Sequence, residues 1–329
     1  MNCTGVLKDL ITNRGFLAVI ASQAFTGFFA GLIGAVVIKK CSNLYFHINC
    51  KILIGTTLSL SIIHSIIITS LQTLHFSRYI LYPNPCEAAM SSALCLTFRL
   101  PANICGTAFA VLQIGMVIER AFALWKRREY EYYGCSLGII ITAFCVLFSA
   151  ASTYWALGVM DLSLPTAYCS ASTAQTAERL TMLFFFLCAV DVISLVGVAL
   201  LHTFNASATK RKVFDLRSSY QLQENAAVIR LLLPLSIFDT ICHFAFSTSS
   251  AIIQLFQASF TYVTYRTILA STYLLPYYGV VSPLLLWLII RKSKQLRMAK
   301  LRAIGLRLTN EREVYFQGYN QMWRMVEAK

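Results

Sequence analysis

Ser136–Leu157 reads SLGIIITAFCVLFSAASTYWAL, with no acidic or basic side chain anywhere in it. A helix that crosses a bilayer needs about 20 predominantly apolar residues, because every residue advances it about 1.5 Å through a core about 30 Å thick. Six more runs of this kind flank it. Residues 16–38 carry no charge, 52–74 carry only His64, and 94–118 hold Arg99 near their start. Residues 180–203 contain Asp191, 231–258 contain Asp239 and His243, and 268–290 are uncharged. The sixth run exceeds one span and is expected to continue out of the membrane. The composition agrees: the 329 residues are 57% hydrophobic and only 13% charged, with mean hydropathy +0.63. A soluble domain averages about 25% charged residues and could not cover so apolar a chain. Barrel strands, which alternate over about 10 residues, do not fit these long runs. The reading is an all-α membrane protein, a seven-transmembrane helix bundle. It divides into an N-terminal segment 1–15, a membrane domain 16–290 and a basic tail 291–329.

Lys and Arg flanking the spans orient it. The loops after spans one, three and five carry Lys39, Lys40 and Lys51; Arg120, Lys126, Arg127 and Arg128; and Lys210, Arg211, Lys212 and Arg217. Ten more lie in the tail. The opposite side holds Lys8, Arg14, Arg78, Arg179 and Arg266, and Arg99 and Arg230 sit at span edges. This places the N-terminus outside and the C-terminus in the cytosol. The sequon Asn2-Cys3-Thr4 then lies outside, where Asn2 could be glycosylated, while Asn205-Ala206-Ser207 faces the cytosol. A net charge of +14 that lies beside the membrane argues for acidic lipid headgroups as partners and against nucleic acid.

Of the 11 cysteines, only Cys3, Cys86, Cys95 and Cys169 fall on or near the oxidising side. A bridge from the top of span three to the loop after span four would hold that loop over the bundle mouth. Cys95–Cys169 is the first choice and Cys86–Cys169 the alternative. No cysteine or histidine spacing suggests a metal site, and no cofactor is expected.

Ile118-Glu119-Arg120-Ala121 ends span three. An acid followed by Arg there resembles the acid–Arg pair of seven-helix G-protein-coupled receptors. Cys95 stands 25 residues before Arg120, the separation those receptors show. Such an Arg can pair with its Glu at rest or turn toward a cytosolic partner, a two-state element that an outer ligand can bias. Further segments are more specific: Phe46-His47-Ile48-Asn49-Cys50-Lys51 before span two, Tyr130-Glu131 after span three, Ser219-Tyr220-Gln221-Leu222-Gln223-Glu224-Asn225 before span six, and Tyr315-Phe316 with Tyr319 and Trp323 in the tail. Together they resemble the nematode serpentine chemoreceptors of the alpha and alpha-beta classes, over most of the chain. The spacing of Cys95, Arg99-Leu100-Pro101 and Glu119-Arg120 favours alpha-beta. The resemblance implies a chemosensory receptor in the plasma membrane of sensory neurons and their cilia, with a small-molecule ligand and a heterotrimeric G protein as partners. It implies switch roles for Glu119, Arg120, Tyr220, Glu224 and Asn225. Span seven departs from the broader receptor pattern: Ser282-Pro283 lacks the Asn before Pro and the Tyr after it. Pro234 and Pro283 are expected to kink their helices.

Ionisable side chains inside a bilayer face the bundle interior and are functional candidates. Asp191 lies at mid-depth in span five, Asp239 and His243 share a face of span six, and Arg99, Asn103 and Gly106 share a face of span three. A ligand pocket between spans three, five and six is expected to use Arg99, Asn103, Asp191, Asp239 and His243, with Arg99 opposite one of the acids. The same charges could instead serve as interhelical pairs. Tyr262, Tyr265, Tyr273, Tyr277 and Tyr278 are expected in the interfacial belt. The cytosolic partner surface should comprise Arg120, residues 125–133 and residues 210–225. Residues 291–308 are expected to form a short eighth helix, and homo- or heterodimerisation is left open. The alternative function is a ligand-gated seven-helix cation channel of inverted topology. A transporter would show similar halves and interrupted spans. A retinal pump would need a Lys in span seven. An enzyme would need a nucleophile or phosphate motif, and none is present.

Overall fold

The computed structural model describes residues 3–41, 46–82, 85–163, 165–210 and 216–327. Its helices are α1 (Cys3–Thr12), α2 (Arg14–Cys41), α3 (Ile48–Leu81), α4 (Pro85–Ala88), α5 (Ser92–Trp125), α6 (Ser136–Leu157), α7 (Ala177–Lys210), α8 (Leu216–Leu255), α9 (Tyr262–Ser271) and α10 (Leu275–Glu327). Seven membrane-length apolar segments result: α2, α3, α5, α6, α7, most of α8, and Tyr262–Lys292, which combines α9 with the start of α10. The chain is a multi-pass membrane protein. Large side chains stand on its outside, among them Ile140, Phe144 and Leu147 of α6, each about two-thirds exposed. Lipid can solvate such a face, whereas water would drive it into contact with another surface.

The buried face of α2 follows from its sequence. Phe16, Ile20, Gln23, Gly27, Ala30, Gly34, Val37 and Cys41 are buried, at alternating steps of four and three. This is the stripe of a helix packed lengthwise on a neighbour, and the neighbour is α3. Gly27 lets the two helices come close there: a Cβ would stand 2.7 Å from Thr69 Oγ1 and displace that hydroxyl. Without water between helices, close backbone approach supplies the packing. In span three, 78% of the apolar window is buried, against 22–39% in the others. Helix α5 is therefore the central one, packed against α3, α6, α7 and α8.

Two compact units are formed, Met1–Leu285 and Leu286–Lys329. The second is helical through Glu327, with Arg291 over the Trp287 ring at 5.5 Å. The expected eighth helix is thus not a separate element, since the helix that begins at Leu275 is recorded to Glu327. Span seven also differs from the uninterrupted helix expected. Thr272, Tyr273 and Leu274 lie between α9 and α10. Pro276 explains this break: it has no N–H to offer the Thr272 carbonyl, and its ring crowds that carbonyl. Pro234 and Pro283, expected to kink their helices, lie inside α8 and α10, and both helices continue past the proline.

Candidate functional site

Two buried polar constellations lie at different levels of the first unit. One gathers around Arg120, which is wholly buried on α5. Its Nε donates to Glu119 Oε2 at 2.5 Å, and its Nη2 donates to the other Glu119 oxygen. Nη1 donates to Asn225 Oδ1 at 3.1 Å and to Glu224 Oε1 at 3.4 Å. Glu224 Oε1 also accepts the His47 backbone N–H at 2.7 Å. The Tyr130 hydroxyl donates to Glu119 and accepts from Asn49 Nδ2 at 3.2 Å. Asn49 Oδ1 in turn accepts the Gly138 N–H at 2.9 Å. Gly138 has to be glycine, since a Cβ would sit 2.7 Å from Asn49 Cα. Burial first, then the adjoining Glu119 carboxylate, push the Tyr130 phenol above its usual range, so its hydroxyl stays a donor.

One guanidinium thus serves two buried carboxylates, and neutral donors supply the remainder. A charge taken out of water is tolerated only when paired and hydrogen-bonded. The segments that carry the cluster are far apart in sequence: His47 and Asn49 before span two, Glu119, Arg120 and Tyr130 at the end of span three, and Glu224 and Asn225 on α8. Tyr220, expected with them, is half-exposed on α8.

The second constellation lies at the end that carries the disulfide. Cys95 at the start of α5 is bonded to Cys169, 74 residues later. Cys86 was the alternative partner; its side chain, like the sequon residue Asn2, lies outside the described residues. The loop before α7 is fastened from several sides. Met90 and Thr166 exchange backbone hydrogen bonds of 3.0 and 2.8 Å. The Tyr79 hydroxyl donates to the Ala167 carbonyl at 2.8 Å, and the Cys169 N–H donates to His75 Nε2 at 3.2 Å. Arg99 donates to the Cys169 carbonyl from Nε at 2.9 Å and from Nη2 at 2.7 Å. Tyr168 turns inward, taking Arg99 Nη2 at 3.2 Å and Gln72 Nε2 at 3.4 Å on its hydroxyl.

Beneath this loop is a cavity of about 60 Å³, lined in part by Arg99, Asn103, Tyr168, Phe184, Phe246 and Tyr273. A second, of about 20 Å³, shares Asn103, Phe184 and Phe246 and reaches His243, Gly106 and Ser247. In the same measure one water needs about 10–15 Å³, so the upper cavity holds a few small groups. The lower one ends at a buried hydrogen-bonded pair, His243 Nδ1 with Asp191 Oδ2. Asp239, one turn earlier on α8, faces Tyr278.

The expected pairing of Arg99 with Asp191 or Asp239 is not found. The loop carbonyl takes the guanidinium, while His243 takes Asp191. Asn103 does line both cavities, but its Nδ2 is engaged by the Arg99 carbonyl at 2.8 Å. The tyrosine belt needs correction too. Tyr278 is buried and stacks on Phe238 at 5.8 Å. Tyr273, at the break in span seven, bonds His64 Nε2 at 2.9 Å and lies under Arg99 at 5.3 Å. The break aims this side chain inward. His75, Tyr79, Gln23 and Gln72 escaped the sequence reading; Gln23 and Gln72, polar residues inside apolar runs, were the available signal.

The Asp191–His243 pair gives a direct test of what a buried acid–imidazole pair contributes. His243→Ala leaves a carboxylate stranded in a dry site and is expected to cost about 3–5 kcal/mol. Replacing both residues with leucine should recover part of that loss, read as the thermal midpoint of the purified protein in detergent.

Comparison with known proteins identifies the family. The family model for the serpentine type 7TM GPCR receptor class ab chemoreceptor matches residues 6–324. Serpentine receptor class beta-17 of Caenorhabditis elegans is 23% identical over 80% of this chain and 74% of its own length. Serpentine receptor class alpha-39 of the same nematode is 21% identical over 89% and 79%, and class alpha/beta-14 is 24% identical over 82% and 70%. The match spans all three segments that meet at Arg120 as well as the disulfide-tied loop. The chain therefore belongs to the class ab family of serpentine seven-transmembrane chemoreceptors, a receptor family.

Proposed function

We propose that this protein is a chemosensory receptor that takes a small molecule into the cavity under the disulfide-tied loop and signals to a heterotrimeric G protein at the Arg120 end. The observation that carries this reading is the convergence of three remote segments on one buried Arg, at a level of the bundle distinct from the ligand-sized cavity. A packed bundle with a buried charge lock has discrete arrangements, and a ligand that prefers one of them shifts the equilibrium. The Lys and Arg distribution supports an outward cavity and an inward Arg120. Trp125 is 75% exposed beside the cluster, with Lys126 over its ring at 5.2 Å, in the surface expected to meet the partner. The basic residues around it suit acidic lipid headgroups as well. Expression in the plasma membrane of sensory neurons and their cilia belongs to the same proposal.

Glu224 ties Arg120 on α5 to the His47 backbone. Glu224→Gln weakens both contacts while keeping the shape, so it is expected to raise basal guanine-nucleotide exchange on G proteins several-fold without any ligand. The measurement is nucleotide uptake in membranes that contain the receptor and a panel of purified G proteins. Silence of both the native chain and the variant with every G-protein class, once surface delivery is confirmed, would contradict the proposal.

A further inference from the structure

The cavity under the loop has an unusual electrostatic balance. Arg99 is the one charged side chain among its lining residues, and it is 4% exposed. Among the described residues, no carboxylate lies within 4.0 Å of its guanidinium. Its partners are neutral: the Cys169 carbonyl, the Tyr168 hydroxyl and the Tyr273 side chain. The two acids deeper in the bundle are engaged elsewhere, Asp191 by His243 and Asp239 beside Tyr278. A second cation stands at the rim. Arg266 donates from Nη1 to the carbonyl of the lining residue Ser172 at 3.3 Å, and its Nε is buried without a hydrogen-bond partner among the described residues. A buried charge ordinarily has an opposite charge beside it. At this cavity Arg99 meets a neutral carbonyl, a neutral hydroxyl and the faces of Tyr168 and Tyr273, and no described carboxylate.

We propose that the ligand is a small carboxylate whose anionic head is received by Arg99 and whose short carbon chain lies along Leu180, Phe184 and Phe246. The planar guanidinium fork matches a carboxylate better than a spherical anion. About 60 Å³ admits about four to six water-sized groups, a range that takes in acetate and propionate. Arg99 already holds the Cys169 carbonyl, so an incoming carboxylate shares or takes over donors that fasten the loop. Occupancy and loop position are thereby coupled at one side chain. The inference takes the cavity as the ligand site from the receptor reading but requires nothing of G-protein coupling.

Binding to the native state alone raises the unfolding midpoint, so the test needs no signalling. The full chain, purified in detergent at low salt, is melted with increasing sodium propionate, with the isosteric neutral propionamide, and with sodium chloride. Propionate should raise the midpoint saturably, by about 3 °C or more when its concentration far exceeds Kd. Propionamide and chloride should not, and Arg99→Gln should lose the saturable rise. If Arg99→Gln does not fold, the propionate–propionamide comparison on the native chain decides by itself. An equal rise with propionamide or chloride, or no rise with propionate, overturns the assignment. A rise without any G-protein response would instead refute the receptor reading and leave the carboxylate site standing.

Discussion

Arg120→Ala is expected to silence the receptor and to destabilise it by about 3–5 kcal/mol. The side chain is fully buried and is the cationic partner of both Glu119 and Glu224. Its removal leaves two carboxylates in a dry site with only hydroxyl and amide donors. The loss should therefore far exceed that of Tyr130→Phe, which deletes one hydroxyl from the same cluster and is expected to cost about 1–2 kcal/mol. Arg120→Lys should fall between them: it keeps the charge, but an ammonium cannot span Glu119, Glu224 and Asn225 as the guanidinium fork does. Thermal unfolding in detergent ranks the three variants, and nucleotide exchange on the G protein reads the function. An Arg120→Ala protein as stable as the native one would show that the cluster is solvated and does not lock α5 to α8.

Cys169→Ser carries the second largest expected effect. The bond it removes closes a 74-residue separation, and loss of a native disulfide over a loop of this length typically costs about 2–5 kcal/mol. The penalty here should sit in the lower half of that range, because Arg99, His75, Tyr79 and the Met90–Thr166 pairing continue to hold the loop. Cys95→Ser should match it, and the double variant should be no worse than either single one. The check is the thermal midpoint with and without reductant: the native protein should fall to the variants' value and the double variant should not move. Additive losses for the two single substitutions would mean that they act through packing and not through their bond.

Seven spans were legible because each is a long, predominantly apolar run with at most two acidic, basic or histidine side chains, and bilayer thickness converts such a run directly into a helix. The Arg120 cluster was half legible. Glu119-Arg120 stands out as a charge pair at the end of span three, and Glu224 and Asn225 were indicated by the family resemblance, whereas the contributions of His47, Asn49 and Tyr130 depend on how α3, α5 and α8 pack. Arg99 shows where sequence reasoning stops. Its type and depth marked it as a buried cation, yet its partner proved to be a backbone carbonyl, which no residue pattern announces. The break at Thr272–Leu274 escaped notice because the apolar run continues through it, although Pro276 supplied the signal. Tyr273 and Tyr278 were misplaced for a related reason: position along the chain gives depth, but which face a tyrosine occupies depends on where that break falls.

The most direct measurement of the account is the side on which the N-terminus lies. An epitope tag placed before Met1 is stained on intact and on permeabilised cells, with surface delivery confirmed separately. The account predicts labelling of intact cells, which puts the disulfide-tied cavity outside and Arg120 in the cytosol with its G protein. Labelling only after permeabilisation would contradict it, turning the cavity inward and bringing forward a ligand-gated channel of inverted topology, for which ion currents would be the signal to record.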